Sequence, residues 1–482
     1  MAGNEPTTAS GAAAPTAQSR ALVLARLDRL PRRAVSYAAT GIVGLAMFVI
    51  FYCNFDINVS FLQTCGQIVA GCTPADAQSW LPLPVCAYLA GYVVGCLLIA
   101  PMSDRLGRRA VVAGSIGFAA LGSLIAAIAT DYATFTVGRA ITGIAMGAVL
   151  AVGNTYIGEL APHGARARYT ATTFVLCTLG AMVGIGLGLM LTTEPAPFPE
   201  GMPVAFGLAD GWRWIHWVAV ILGALAVLAA LRLPESPRWL VEHGRLDEAD
   251  AVVTRLEARI GQPLPAIGPA AIAPPVEHAS HAYRELFANP RYRRRALLLV
   301  AMWFTGYATV FSYSTGSTVV LTSLHFTPPV AGMISAAGGV GFFVQGLFSA
   351  RYSEVLERRY WLPVGAALTV LGAVVIALFG TDIGWALGGS FLVFFGFNVW
   401  VPPTFALSAE SFPTRVRSAG FGLVDGIGVL GGATGVLVIA PLVPLLAPLP
   451  ALLLVSSFLV VAAVLAQFTP RARNRALEEL SP

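Results

Sequence analysis

Residues 34–63 read AVSYAATGIVGLAMFVIFYCNFDINVSFLQ, and the fold of the whole chain turns on whether this stretch crosses a lipid bilayer. A bilayer core is crossed by about 20 consecutive apolar residues. The run from Ser36 to Leu62 supplies them with one ionisable exception, Asp56. An ionised carboxylate deep in a bilayer costs about 2.5 to 3.5 kcal/mol even on the lenient translocon scale. A spanning segment that keeps one must compensate for it or use it.

The same pattern repeats outward from this stretch. Of 482 residues, 56% are hydrophobic and 11% charged, with a mean hydropathy of +0.72, values no soluble globular chain shows. Apolar runs of spanning length occur at 36–62, 76–102, 110–130, 132–158, 169–192, 213–233, 294–322, 329–350, 361–380, 383–407, 418–441 and 447–468. The reading is an all-α membrane protein of twelve transmembrane helices in two six-helix bundles, over 34–233 and 294–468. A linker at 234–293 separates them, with a helical pattern in LDEADAVVTRLEARIG (246–261) and a Pro/Ala-rich stretch, PLPAIGPAAIAPPV. The Ala/Thr/Ser/Gly-rich residues 1–33 read as a disordered tail, and 469–482 as a second short tail.

All 30 basic residues are arginine. With both termini cytoplasmic, 28 of them fall on inward-facing segments, leaving Arg139 and Arg213 elsewhere; shifting the count by one span destroys that asymmetry. The net charge of +5 therefore reports topology and gives no footprint for nucleic acid. With no short apolar segment and cleavage site ahead of it, the first span reads as uncleaved, and the expected setting is a bacterial cytoplasmic membrane. Six cysteines show no metal-ligand spacing, so neither metal nor cofactor is expected. Cys65 and Cys72 share the first outward connection, where a disulfide is chemically possible. Two unpaired thiols are the simpler expectation.

The inward loops repeat. DRLGRR begins at Asp104 and EVLERR at Glu354, an offset of 250; ELAPHGARAR begins at Glu159 and ESFPTRVR at Glu410, an offset of 251. Two motifs sharing one spacing imply two halves of parallel topology with a binding site between them near the midplane.

These loops also carry a resemblance. APMSDRLGRRAVV (100–112) resembles the loop signature of the major facilitator superfamily. VGRAITGIAMGAV, ELAPHGARAR, GWRWIHWVAVILGAL, LPESPRWLVEHGRLDEA and ESFPTRVRSAGFG are similar to its sugar-porter and metabolite:proton symporter branches, a likeness covering about residues 25–470. The resemblance implies two bundles rocking about a central cavity in alternating access. Departures bear on substrate. Ala100 stands where the loop signature usually has Gly, and Glu354 and Glu357 replace Asp and Gly in the second copy. Cys53 occupies the place of an acid common in organic-acid symporters. MWFTGYATVFSYSTG (302–316) lacks the paired glutamines of hexose carriers, and GAMVGIGLGL (180–189) lacks the Gly-Pro signature of drug:proton antiporters.

Within the spans the ionisable groups are Asp56, Arg139 and Asp425, with His216 and Arg213 nearer a boundary. Asp56 and Arg139 both fall about 9 to 10 Å below the outer surface at 1.5 Å per residue. Opposite charges at one depth in a low-dielectric bundle pair, because either alone is costly. The pair is open to two readings: a permanent structural salt bridge, or, as the resemblance implies, a proton carrier. Beside the guanidinium the acid favours its anion; apart from it, in apolar surroundings, the protonated form. Asp425, about 10 Å from the inner end of its span, is a second proton-coupling candidate or a substrate contact, if it does not simply reach cytoplasmic water.

Asp104, Arg105, Arg108, Arg109, Glu159, Arg166, Glu235, Arg238, Glu410 and Arg415 are candidates for gating; the resemblance implies a charge network across the cytoplasmic ends that latches the inner side. Candidate substrate contacts are Asn154, Trp303, Tyr307, Tyr313, Gln345, Asn398 and Trp400, polar or aromatic residues in central spans. The functional expectation is a monomeric importer of a small polar metabolite, an organic acid or polyol, by proton symport. A proton-coupled exporter is the alternative. No clustered catalytic groups point to an enzyme.

Overall fold

Away from water an apolar run satisfies its backbone N–H and C=O groups only by coiling into a helix or closing a barrel, and these runs coil. The computed structural model describes residues 17–31, 37–73, 76–161, 166–260, 263–267, 282–413 and 416–472. Within them, twelve helices are long and apolar enough to cross a membrane. They are Ala38–Phe55, Pro82–Leu106, Arg108–Ala127, Tyr132–Leu160, Arg168–Thr192 and Gly211–Ala230, then Pro290–Ser314, Pro328–Tyr352, Arg358–Phe379, Ile383–Glu410, Ala419–Val443 and Pro448–Ala466, here spans one to twelve. No strand occurs among the described residues.

The first span continues beyond Asp56 as a second helix, Ile57–Ile68. Gln63 and Gln67 of this extension grip the turn before span six. Gln63 donates to the Leu208 carbonyl (2.7 Å) and accepts from the Trp212 backbone N–H (2.9 Å), while Gln67 accepts from the Trp212 indole (2.8 Å). Beyond Ile68 the chain turns extended at Val69 and left-handed at Gly71 (φ 75°), folding back so that Cys65 and Cys72 come within 5.9 Å at Cα. They form a disulfide, against the expectation of two free thiols; the reversal at Gly71 is what spacing alone did not reveal.

Spans two and four approach at glycines. Gly91 and Gly95 face the Ala140 and Ile144 carbonyls, and a side chain at either would collide with that backbone. The halves meet along two seams. Span two lies against span eleven, where Gly422 and Gly426 face Cys96 and Leu97; span five lies against span eight, where Gly339 faces Met182 and Gly346 faces Thr178. Between the seams Phe51 and Phe55 of span one and Phe174 of span five meet Phe342 of span eight, with centroids 5.6 to 6.3 Å apart. The halves are closed on each other. The space left beside Asn54, Tyr88, Arg139, Phe311 and Ser314 is about 10 Å³, room for one water.

The internal repeat has a physical counterpart. Arg108 bonds Glu159 (3.0 Å) and its neighbour Asp104 (2.5 Å); Arg358 bonds Glu410 (2.7 Å) and its neighbour Glu354 (3.7 Å). The copies differ in how the third or ninth helix is capped. Gly107 takes φ 95°, and Glu235 from the linker accepts the Arg108 N–H (2.9 Å). Glu357, the counterpart of Gly107, sits at φ −58°, needs no glycine, and itself accepts N–H groups from Arg358 and Ala472.

Residues 1–33, read as disordered, include a helix, Ala17–Asp28. Its Val23 and Leu27, with Leu30 just beyond, are buried at helical spacing. Arg26 and Arg29 clasp Glu257 (2.6 and 2.7 Å), Arg26 also meets Asp250, and Asp28 receives Arg238 (2.6 Å). Partners 200 residues away order this stretch, which its own composition does not reveal.

Candidate functional site: two buried carboxylates

Asp56 sits where the two helices of span one join. Its N–H still bonds the Tyr52 carbonyl (3.1 Å) and its carbonyl accepts the Ser60 hydroxyl (2.7 Å), so helical geometry fixes the carboxylate's direction. Oδ1 receives Arg139 Nη1 at 2.8 Å, and the same nitrogen donates to the Cys53 carbonyl at 2.6 Å. The guanidinium lies 4.9 Å from the Tyr88 ring centroid. The pair is 0% and 2% exposed, so water does not screen it. Oδ2 has no hydrogen bond among the described residues and faces His216 Nδ1 at 3.4 Å. Edge contacts with Phe135 and Trp212 fix that imidazole. One oxygen is thus held by a cation, and the other has no donor within hydrogen-bond reach among the described residues.

Asp425, in span eleven, is also buried and has a different shell. Tyr92 of span two donates to Oδ2 (2.6 Å), Tyr307 of span seven donates to Oδ1 (2.7 Å), and the Cys96 thiol lies 3.7 Å from Oδ2. No arginine or histidine pairs with it among the described residues.

The gating candidates divide by half. Arg108, Asp104, Glu159 and Glu235 form one cluster and Arg358, Glu354 and Glu410 another. Among the described residues Glu410 pairs with Arg358 of its own half, as Glu159 pairs with Arg108 of the other. Arg105 and Arg109 are exposed; Arg238 is committed to Asp28. The side chain of Arg166, and all of Arg415, lie outside the described residues.

Among the substrate candidates, Trp303, Tyr307 and Trp400 form one aromatic group with Phe405, with centroids 4.8 to 5.1 Å apart around Trp303, whose indole donates to Ser408 (2.9 Å). Asn398 Nδ2, Trp400 Nε1 and Gln345 Oε1 are buried without hydrogen bonds among the described residues; Gln345 also donates to Ser349 (2.6 Å). Asn154 is half-buried in span four. Tyr313 is turned away, its hydroxyl engaged with Ser456 and the Leu452 carbonyl. Sequence reasoning noted His216 as an ionisable group near a span boundary without placing it at the site, and missed Tyr92, Cys96 and Arg358; of these three only Arg358 left a signal, the 250-residue repeat.

The family profile described as sugar (and other) transporter matches residues 36–482. The chain belongs to that family. This transporter is therefore a member of the major facilitator superfamily, in its sugar-porter family, and not an enzyme. It is 25% identical over 424 residues to the putative metabolite transport protein YyaJ of Bacillus subtilis, covering 86% of this chain and 87% of that one. It is 28% identical over 366 residues to a D-xylose transporter of Levilactobacillus brevis, covering 71% and 73%. The proton:xylose symporter XylE, solved with bound 6-bromo-6-deoxy-D-glucose, has the same fold, with a TM-score of 0.70 at 18% identity over 92% of this chain and 98% of that one.

Proposed function

We propose that this transporter imports a small polar metabolite, a polyol, sugar-like compound or organic acid, by proton symport through alternating access. The observation that carries the reading is the one-sided pair at Asp56: Arg139 on Oδ1 at 2.8 Å, Oδ2 open. A carboxylate so placed is favoured as the anion while the guanidinium stays, and takes a proton when span one shifts against span four within the bundle and draws the two apart. If proton and substrate favour the same conformer, an inward proton gradient drives accumulation. The named activities of the D-xylose and metabolite relatives support the substrate class. The buried indole and amide groups of Trp400, Asn398 and Gln345 fit a hydroxyl-rich solute.

The Cys65–Cys72 disulfide supports the topology, since it lies on the side that the arginine count assigns to the oxidising exterior. Both termini are then cytoplasmic, in a bacterial inner membrane, and one chain contains the whole transport path. The test is uptake by proteoliposomes against a panel of pentoses, hexoses, polyols and organic acids, with and without an imposed pH gradient. Gradient-dependent accumulation of a panel member supports import. Accumulation only when the gradient is reversed makes the protein an exporter.

A further inference from the structure

The shell of Asp425 contains an asymmetry that the chemistry of its partners does not require. Two hydroxyls, chemically alike, donate to it over 2.6 and 2.7 Å, one to each oxygen. Tyr307 and Asp425 stand on spans seven and eleven of the same bundle. Tyr92 stands on span two of the other, so of the two hydroxyl bonds only its own crosses the seam between halves, beside the longer contact from the Cys96 thiol. The local backbone is built for that approach: span two widens into a π-helical turn at Gly95–Ile99, and Gly422 and Gly426 bring span eleven against Cys96 and Leu97. The Cys96 thiol, 3.7 Å from Oδ2 and 3.4 Å from the Gly147 carbonyl, completes the contact.

We propose that Tyr92 is a positioning residue of the transport cycle, whose hydroxyl ties the Asp425 carboxylate to closure of the two bundles. The proposal rests on the alternating-access part of the reading above and is independent of proton coupling at Asp56. When the halves move as bodies, the Tyr307 bond travels with Asp425 and persists. The Tyr92 bond breaks as the seam opens. Oδ2 then loses its donor, and a buried carboxylate oxygen without one is costly. Water, a proton or a hydroxyl of the transported solute takes the vacated position, so opening of the seam and re-partnering of Asp425 occur together.

Cys96 supplies a native reporter, because it is fully buried in the closed seam. The experiment compares full-length protein in membrane vesicles, as wild type, Tyr92→Phe and Tyr307→Phe. Alkylation of Cys96 by N-ethylmaleimide is followed by peptide mass spectrometry, without substrate or pH gradient. Cys53, buried inside the first bundle against Ser123, is the internal control. Each variant deletes one hydroxyl from the same carboxylate and keeps its charge. Loss of the crossing bond should raise the Cys96 rate about tenfold, the order expected for a hydrogen bond to a charged group. Tyr307→Phe should stay within about twofold, and the Cys53 rate should not move. Hydrogen exchange of the amides in 88–99, read on the same samples, should rise only in Tyr92→Phe. Equal acceleration in both variants, or none in Tyr92→Phe, overturns the proposal. If Tyr92→Phe does not fold, Tyr92→Leu in the same two measurements decides it.

Discussion

Asp56 meets a guanidinium 2.8 Å away inside one bundle, whereas Asp425 meets two hydroxyls, one from its own bundle and one from the other. Both are buried. Asp56 is held by opposite charge, which cancels when the pair forms and is exposed when it parts. Asp425 is held by neutral donors, and its bonding is divided between two bodies that must move. The first arrangement suits a group that changes protonation; the second suits a group that registers whether the halves are together.

The sharpest way to break this comparison is to remove one partner from each. Arg139→Gln leaves Asp56 buried with an uncompensated charge and should destabilise the protein by about 3–5 kcal/mol. Asp425→Asn keeps one acceptor oxygen for one tyrosine and turns an N–H donor toward the hydroxyl oxygen of the other, and should cost about 1 kcal/mol. Thermal unfolding in detergent reads both, and equal losses would erase the distinction. Asp56→Asn added to Arg139→Gln should recover part of the loss, since no charge is then left alone.

How much of this was legible in the sequence follows from the same contrast. Asp56 and Arg139 carry opposite formal charges at matching depths, and depth is readable from helix arithmetic. His216 reads as near a boundary because the apolar run of span six begins at residue 213. The extension of span one to Ile68 and the grip of Gln63 on Trp212 carry the bundle further outward and leave His216 inside. Tyr92 has no charge and its partner lies in the other half, so nothing in its neighbourhood marks it. The twelve spans were readable because hydrocarbon imposes length and apolarity on each. The cytoplasmic repeat was readable as an offset, but not the choice each arginine makes between two glutamates.

That choice gives a prediction of intermediate size. Arg108→Gln and Arg358→Gln each remove a charge-assisted bond from a separate cluster and should each cost about 2 kcal/mol. Because the clusters share no partner among the described residues, the double variant should be additive to within about 0.5 kcal/mol. A larger coupling energy would mean that the halves do bond through these charges.

The smallest effect lies outside the membrane. Arg26, with Arg29, holds the Glu257 carboxyl below its ordinary value of 4.5. A carboxyl depressed in the docked state stabilises docking above its free value, and that contribution is lost as pH falls through the docked value. The helix Ala17–Asp28 should therefore stay protected from hydrogen exchange at pH 7 and loosen below about pH 4.5, with the spans unaffected. Equal protection at pH 7 and pH 3.5 would show that its apolar face alone holds it.

The most direct measurement is transport by Asp56→Asn in proteoliposomes, using whichever solute the wild type concentrates under an inward proton gradient. The account predicts that gradient-driven accumulation falls to equilibration while exchange of solute across the membrane continues, because the bundles still rock and only the coupled proton is missing. Accumulation at the wild-type level would contradict it and leave the Asp56–Arg139 pair a structural bond.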